Sequence, residues 1–226
     1  MDVLDLDRYQ LWIKNAFDRP YTAEKPWYFD SEQEEFFELL VNEAIPFYHR
    51  LFQNCKSDLK EYTEGQIADG LSSLLNNSAG HDMFLIIQDG FNQDALRQMI
   101  KAIPTLYKDI FYKFCQKEQE HEYNYLKDRI ENICIMWWDA DIWIFSLQQA
   151  FPDRFTADFA AMFESILSLQ HYTIQYSALH GLGHFYFKGL SSAAYVERII
   201  DQAIERNIIL PCLLSYAAQA RSGNVQ

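Results

Sequence analysis

The sequence predicts an all-α protein of several packed helices. Three observations carry that expectation. Only 8 Gly and 6 Pro punctuate 226 residues, whereas sandwiches and barrels need turn signals about every 8–12 residues. Apolar residues recur at helical spacing through most of the chain. Ser, Thr or Pro stands where those periodic stretches begin, as helix starts require.

In "SEQEEFFELLVNEAIPFYHRLFQ", Phe37, Leu40, Val41, Ala44, Tyr48 and Leu51 share one helical face. Ser31 and Glu34 have capping-box spacing, in which two side chains satisfy N–H groups orphaned at a helix start. Pro46 falls inside this helix and predicts a kink, because it offers no N–H to the carbonyl of Asn42. Thr63 and Gln66 repeat the cap signature ahead of "IADGLSSLLNN". The amphipathic stretch "QDALRQMIKAIPTLYKDIFYKFCQKEQ" is divided or bent at Pro104. "YNYLKDRIENICIMWWDADIWIFSLQQAF" reads as one long helix bounded by Pro152. Thr156, Ser191 and Pro211 open three more helices, and Gly223 sits where a helix C-cap wants a glycine. Met83–Gln88, "MFLIIQ", is the one candidate for extended structure, since so short an apolar run fits a strand or a buried helical turn. No low-complexity linker interrupts the chain, so residues 1–226 are expected to form one domain of eight or nine helices.

The length leaves ample material for a core, and aromatic residues are dense at 16%. The formal charge of −13 is uneven. Residues 1–75 hold 15 Asp or Glu against 7 Lys or Arg, whereas residues 156–226 hold 5 against 4. Nucleic acid and anionic membranes reward the opposite sign and are not expected partners. A basic partner would be drawn to the N-terminal third. Cys55, Cys115, Cys134 and Cys212 form no CxxC pair and suit buried free thiols in a reducing compartment. The acidic start "MDVLDLDRYQ" lacks the features of a signal peptide, and no apolar run reaches the ~18–20 residues of a membrane span. A cytoplasmic protein is expected.

The stretch "SALHGLGH", Ser177–His184, poses the sharpest question. His180 and His184 are one helical turn apart and point the same way, as two ligands of a zinc or iron ion would. Two ligands are too few, however, and the Glu of a HExxH motif is missing. His171 lies about half a rotation away on the same helix. No third ligand is legible, so the expectation is no metal and no cofactor. Gly181 and Gly183 each cost a helix roughly 1 kcal/mol relative to Ala. With Ser177 and Ala178, they make a thin helix against which a neighbour can lie closely.

"SALHGLGHFYF", followed by "AAYVERIIDQAIERN" and "LLSYAAQA", resembles a HEAT-type helical repeat over residues 171–222. The wording "ALHGLGH" is also similar to bacterial helical proteins with HEAT-like C-termini, some of which are immunity proteins against contact-dependent or polymorphic toxins. The resemblance implies a partly α-solenoid scaffold and carries no catalytic residue.

Two further constellations bear on function. Glu118 and His121 in "EQEH" have the spacing of a di-iron helix, but that site needs a second copy, and the run reads as a solvated charged stretch. In "IMWWDADIWIF", Trp137, Trp138 and Trp143 crowd together with Asp139 and Asp141. Aromatics at this spacing are core formers. The two aspartates must nevertheless reach water, a donor or a partner, since an unpaired buried carboxylate is costly. Aromatic anchors with an acidic rim would also suit a basic protein.

The expected function is therefore non-catalytic: an immunity-type protein that occludes the active site of a cognate toxin, such as a basic nuclease. Its candidate binding residues are Glu32, Glu34, Glu35, Trp138, Asp139 and Asp141. Glu32 and Glu35 would serve a helix N-terminus equally well. The alternatives are a metal-dependent helical enzyme using His180 and His184, or a general protein-binding scaffold.

Overall fold

Helix α1 (Leu6–Phe17) begins where the Asp5 carboxylate accepts the N–H groups of Asp7 and Arg8, at 3.1 and 3.0 Å. It buries Tyr9, Trp12, Ile13, Ala16 and Phe17 along one stripe. The computed structural model describes residues 4–22, 24–29, 37–75, 85–86, 91–115, 129–140, 142–151 and 153–225. Among these the fold is entirely helical, and no helix is long and apolar enough to cross a membrane.

Helix α2 (Val41–Asp58) starts ten residues later than Ser31. Ser31 and Glu34 lie outside the described residues, but the reason for the late start is visible just after them. Phe37 and Glu38 each spend a backbone group on α1. The Phe37 N–H donates to Asn15 Oδ1 at 3.1 Å, and Arg8 Nη2 donates to the Glu38 carbonyl at 3.2 Å. Glu43 then takes the capping role, accepting the Leu40 N–H at 3.1 Å. Pro46 lies inside α2, as its position indicates.

Helix α3 (Glu64–Leu75) carries the anticipated capping box. Gln66 N–H donates to Thr63 Oγ1 at 3.4 Å, and Thr63 N–H donates back to Gln66 Oε1 at 3.1 Å. Leu85 and Ile86 lie in a helical turn, and the rest of "MFLIIQ" is outside the described residues. Helix α4 (Gln93–Leu106), capped by Asn92, continues through Pro104 and then widens into a π-helical turn, Tyr107–Phe111, before a short α5 (Tyr112–Phe114). Within the segment expected as one long helix, the described residues form α6 (Arg129–Ala140) and α7 (Ile142–Ala150), and Asp141 lies outside the described residues. Helices α8 (Thr156–Leu167) and α10 (Ser191–Glu205) begin at their expected starts, and α9 (Tyr172–Phe185) lies between them. A 3₁₀ turn, Pro211–Leu213, leads into α11 (Leu214–Ala220). Gly223 closes it with φ +74°, and the Asn224 N–H reaches back to the Gln219 carbonyl at 3.0 Å.

Helix α2 packs on α4, α3 lies against α1 and α6, and α9 is contacted by α6, α8, α10 and α11. Buried side chains from Tyr9 to Ala220 join in one apolar cluster. Trp137 and Trp138 stack at 5.0 Å with planes 16° apart, and the Tyr107 ring lies nearly parallel to both. Cys55, Cys115 and Cys134 are buried free thiols; Cys212 is free but exposed, because its 3₁₀ turn runs along the surface.

One ion pair sits inside this apolar material. Arg129 Nη1 on α6 reaches both carboxylate oxygens of Asp69 on α3, at 2.8 and 2.9 Å. Burial raises the Asp69 carboxyl above its ordinary value, and the guanidinium only partly opposes that. Arg129→Ala, which strands this carboxylate, is expected to cost about 3–5 kcal/mol in urea unfolding. The double variant Asp69→Leu/Arg129→Met should recover most of that loss, since burying neither charge removes both desolvation penalties.

Candidate functional site

The stretch Ser177–His184 occupies the second half of α9, and each residue type has a separate task there. Ser177 is fully buried. Its Oγ accepts from Trp138 Nε1–H at 2.9 Å, lies 3.0 Å from the Tyr107 hydroxyl, and donates to the Cys134 carbonyl. Gly181 lets α9 lie against aromatic side chains of α6 and α8. A Cβ there would stand 2.4 Å from Phe163 Cε1 and 2.9 Å from Trp138 Cδ2. At Gly183 it would meet Val225 Cγ1 at 2.4 Å, where the C-terminal segment folds back over the helix. The thin-helix expectation for "HGLGH" is what these contacts describe.

The same packing aligns the polar face. His180 and His184, four residues apart, present Nε2 atoms 3.2 Å from each other. Both meet one carboxylate, that of Asp139 near the end of α6. His180 Nε2 lies 2.7 Å from Asp139 Oδ2, and His184 Nε2 lies 2.9 Å from Asp139 Oδ1. On its other side, His180 Nδ1 is 2.6 Å from the Tyr216 hydroxyl of α11. Buried Ala217 and Ala220 let α11 approach α9, and the Tyr216 ring stacks on Tyr176 at 4.4 Å.

The His180 side chain is 3% exposed, whereas those of His184 and Asp139 are 40% and 34% exposed. The group therefore has a buried root and an open mouth. Burial pushes the Asp139 carboxyl up, but the contacts with His180 and His184 outweigh it and hold the group well below the usual carboxylate range. Burial, the Tyr176 hydrogen bond and the charge of Asp139 all push the Tyr216 phenol upward, so it remains neutral.

Among the described residues, this is where three side chains with metal-ligating atoms converge, all within 4.8 Å of one another. A neutral imidazole has a single N–H. With that proton on Nε2, His180 donates to Asp139; with it on Nδ1, His180 donates to Tyr216 and turns a lone pair toward the centre. The second form is the one in which ligating histidines are held.

The structure treats the sequence-derived site residues differently. Asp139 is in this cluster. Trp138 takes the core role that its spacing also allowed, at 5% exposure. Asp141, Glu32, Glu34 and Glu35 lie outside the described residues, as do Glu118 and His121. His171 is buried with Nε2 3.2 Å from the Cys115 carbonyl, on another side of α9. Sequence reasoning passed over Tyr216, which lies 36 positions from His180 and belongs to no recognisable spacing.

A second feature is compositional. Six of the ten exposed large hydrophobics among the described residues, namely Leu6, Leu11, Tyr21, Phe29, Leu40 and Val41, belong to the first 41 positions. Arg8, paired with Glu43 at 2.9 Å and set 4.8 Å over the Phe37 ring, ties α1 to the start of α2 on this side.

Comparisons of the chain with protein families, with curated proteins and with solved structures return no match.

Gly181→Ala is expected to lower stability by about 1–3 kcal/mol through overpacking, despite a helix-propensity gain of roughly 1 kcal/mol. Urea unfolding followed by tryptophan fluorescence reads both the loss and the displacement of Trp138.

Proposed function

We propose that this chain is a non-catalytic binding protein of the immunity type, acting in the cytoplasm to neutralise a basic toxin. The observation that carries the reading is a coincidence on the N-terminal elements. Most of the exposed large hydrophobics among the described residues fall in the same third of the chain that holds most of its net negative charge, 15 acidic against 7 basic residues of a chain total of −13. Apolar anchors with a charged rim are the composition of a docking face. Leu6 and Leu11 on α1, with Leu40 and Val41 at the start of α2, supply the anchors, and Asp5, Asp7 and Glu38 supply charge around them.

The mechanism is occlusion. A cationic surface that a toxin uses to hold nucleic acid is attracted to this acidic face, and complementary charge speeds encounter and rejects wrong partners. Desolvation of the leucine side chains then slows release. The scaffold is helical, and in its C-terminal part α9 packs against α8, α10 and α11.

The test is a low-salt pull-down from the native organism with the chain as bait, followed by expression of the retained basic protein in cells lacking this chain. The retained protein should be toxic alone and harmless when this chain is co-expressed. Leu11→Lys combined with Asp7→Lys should weaken binding about tenfold or more, with an unchanged circular dichroism spectrum. Undiminished affinity in that variant, or binding indifferent to salt, overturns the reading.

A further inference from the structure

We propose that Asp139, His180 and His184 form a binding site for a first-row transition-metal dication, zinc fitting best, with Tyr216 positioning one of the histidines. The site goes beyond the docking reading and uses a different part of the molecule.

The spacing of the donor atoms is that of a coordination sphere. A zinc ion about 2.0–2.1 Å from two histidine nitrogens sets them about 2.9–3.4 Å apart, for angles between octahedral and tetrahedral. The observed separation is 3.2 Å. The carboxylate closes the set at 2.7 and 2.9 Å from the two nitrogens, with one oxygen turned to each. Protons alone serve this arrangement poorly. If both Nε2 atoms carry hydrogen to reach Asp139, two donors stand side by side at 3.2 Å. If one of them does not, it can accept the other's N–H at 3.2 Å, but its lone pair then also faces a carboxylate oxygen at 2.7 or 2.9 Å. A cation at the centre lets both nitrogens and the carboxylate point lone pairs at one positive charge.

The surroundings are those of a built ligand set rather than a chance meeting of surface groups. His180 is buried, and its remote nitrogen meets the Tyr216 hydroxyl at 2.6 Å. A ligating histidine characteristically donates its other N–H to such a partner, which fixes tautomer and ring orientation. The Ser177–Trp138 bond and the closeness of Gly181 to Trp138 lock α9 onto α6 one residue away from both Asp139 and His180. Two nitrogens and one carboxylate select zinc, iron, nickel or copper over calcium and magnesium, which take oxygen ligands. Three protein ligands with a partly exposed mouth leave a further position open to water or to an incoming side chain.

The metal is measured on untagged chain purified without chelator, since a polyhistidine tag would bind metal itself. Elemental analysis should find near-stoichiometric zinc or another of these dications. After chelation, Zn²⁺ titrated calorimetrically should bind at a single site, and Co²⁺ should give visible d–d absorption. Zn²⁺ should raise the melting temperature of the apo protein, because the ion joins α6 to α9 and stabilises only the folded state.

His184→Ala should abolish both the cobalt spectrum and the melting shift while keeping the apo fold, since this ring is largely at the surface. Tyr216→Phe should keep the stoichiometry and weaken affinity about 10–100-fold. No saturable Zn²⁺ binding by the native chain, or full binding retained in His184→Ala and Asp139→Asn, overturns the site. The isolated chain suffices for every one of these readouts, so the outcome is independent of whether a partner docks on the N-terminal face.

Discussion

The close approach of α9 to α6 is the constraint on which the rest of the C-terminal half depends. At Gly181 there is no room for a Cβ between the helix and the rings of Trp138 and Phe163. That contact brings Ser177 within hydrogen-bond reach of the Trp138 indole and the Cys134 carbonyl, so a polar atom is fully satisfied in an otherwise apolar layer. The Trp137–Trp138 stack behind it, with Tyr107 alongside, makes a stiff floor of large flat rings. A helix seated at one glycine and one serine has little freedom to rotate or slide. Its next polar residue, His180, is therefore delivered to Asp139 at bonding distance.

The two helix-costly glycines consequently have a purpose beyond tight packing. Each opens space for a different neighbour, Gly181 for aromatic rings and Gly183 for Val225, and His180 and His184 flank them one turn apart. Tyr216 enters from a third direction because α11, lined with buried alanines, lies against the same helix. Three segments remote in sequence thus meet around one imidazole, that of His180, and the hydrogen bonds from His180 and His184 keep Asp139 ionised against the effect of burial.

The N-terminal half is held together differently. A buried guanidinium–carboxylate pair ties its helix α3 to α6 of the other half, and Arg8 stitches α1 to residues 38–43. Arg8 also explains why α2 begins at Val41. A backbone whose N–H and C=O groups are already engaged by Asn15 and Arg8 gains nothing from continuing a helix backward. Six of the exposed large hydrophobics among the described residues fall within the first 41 positions, in the most acidic third of the sequence. His180 and His184 belong to the more nearly neutral C-terminal segment.

Local features were legible because they depend on neighbours a few residues away. Helical periodicity, the Thr63–Gln66 box, the starts near Thr156 and Ser191, and the Gly223 terminus all follow from hydrogen bonds and side-chain spacing within one or two turns. The thinness of "HGLGH" was readable for the same reason, since a glycine inside a helix declares its cost in the sequence. Whether Trp138 faced a partner or the core was not readable, because both uses share one periodicity and only the position of α9 separates them. Nor could two histidines one turn apart disclose a third ligand. Asp139 lies 41 residues from His180 and Tyr216 lies 36 residues from it, and no spacing rule spans such gaps. The sequence by itself determined an all-helical chain with an acidic N-terminal third and a thin C-terminal helix. Only the tertiary structure decided that this helix brings its histidines to a carboxylate, because that meeting is set by how closely two helices can pack.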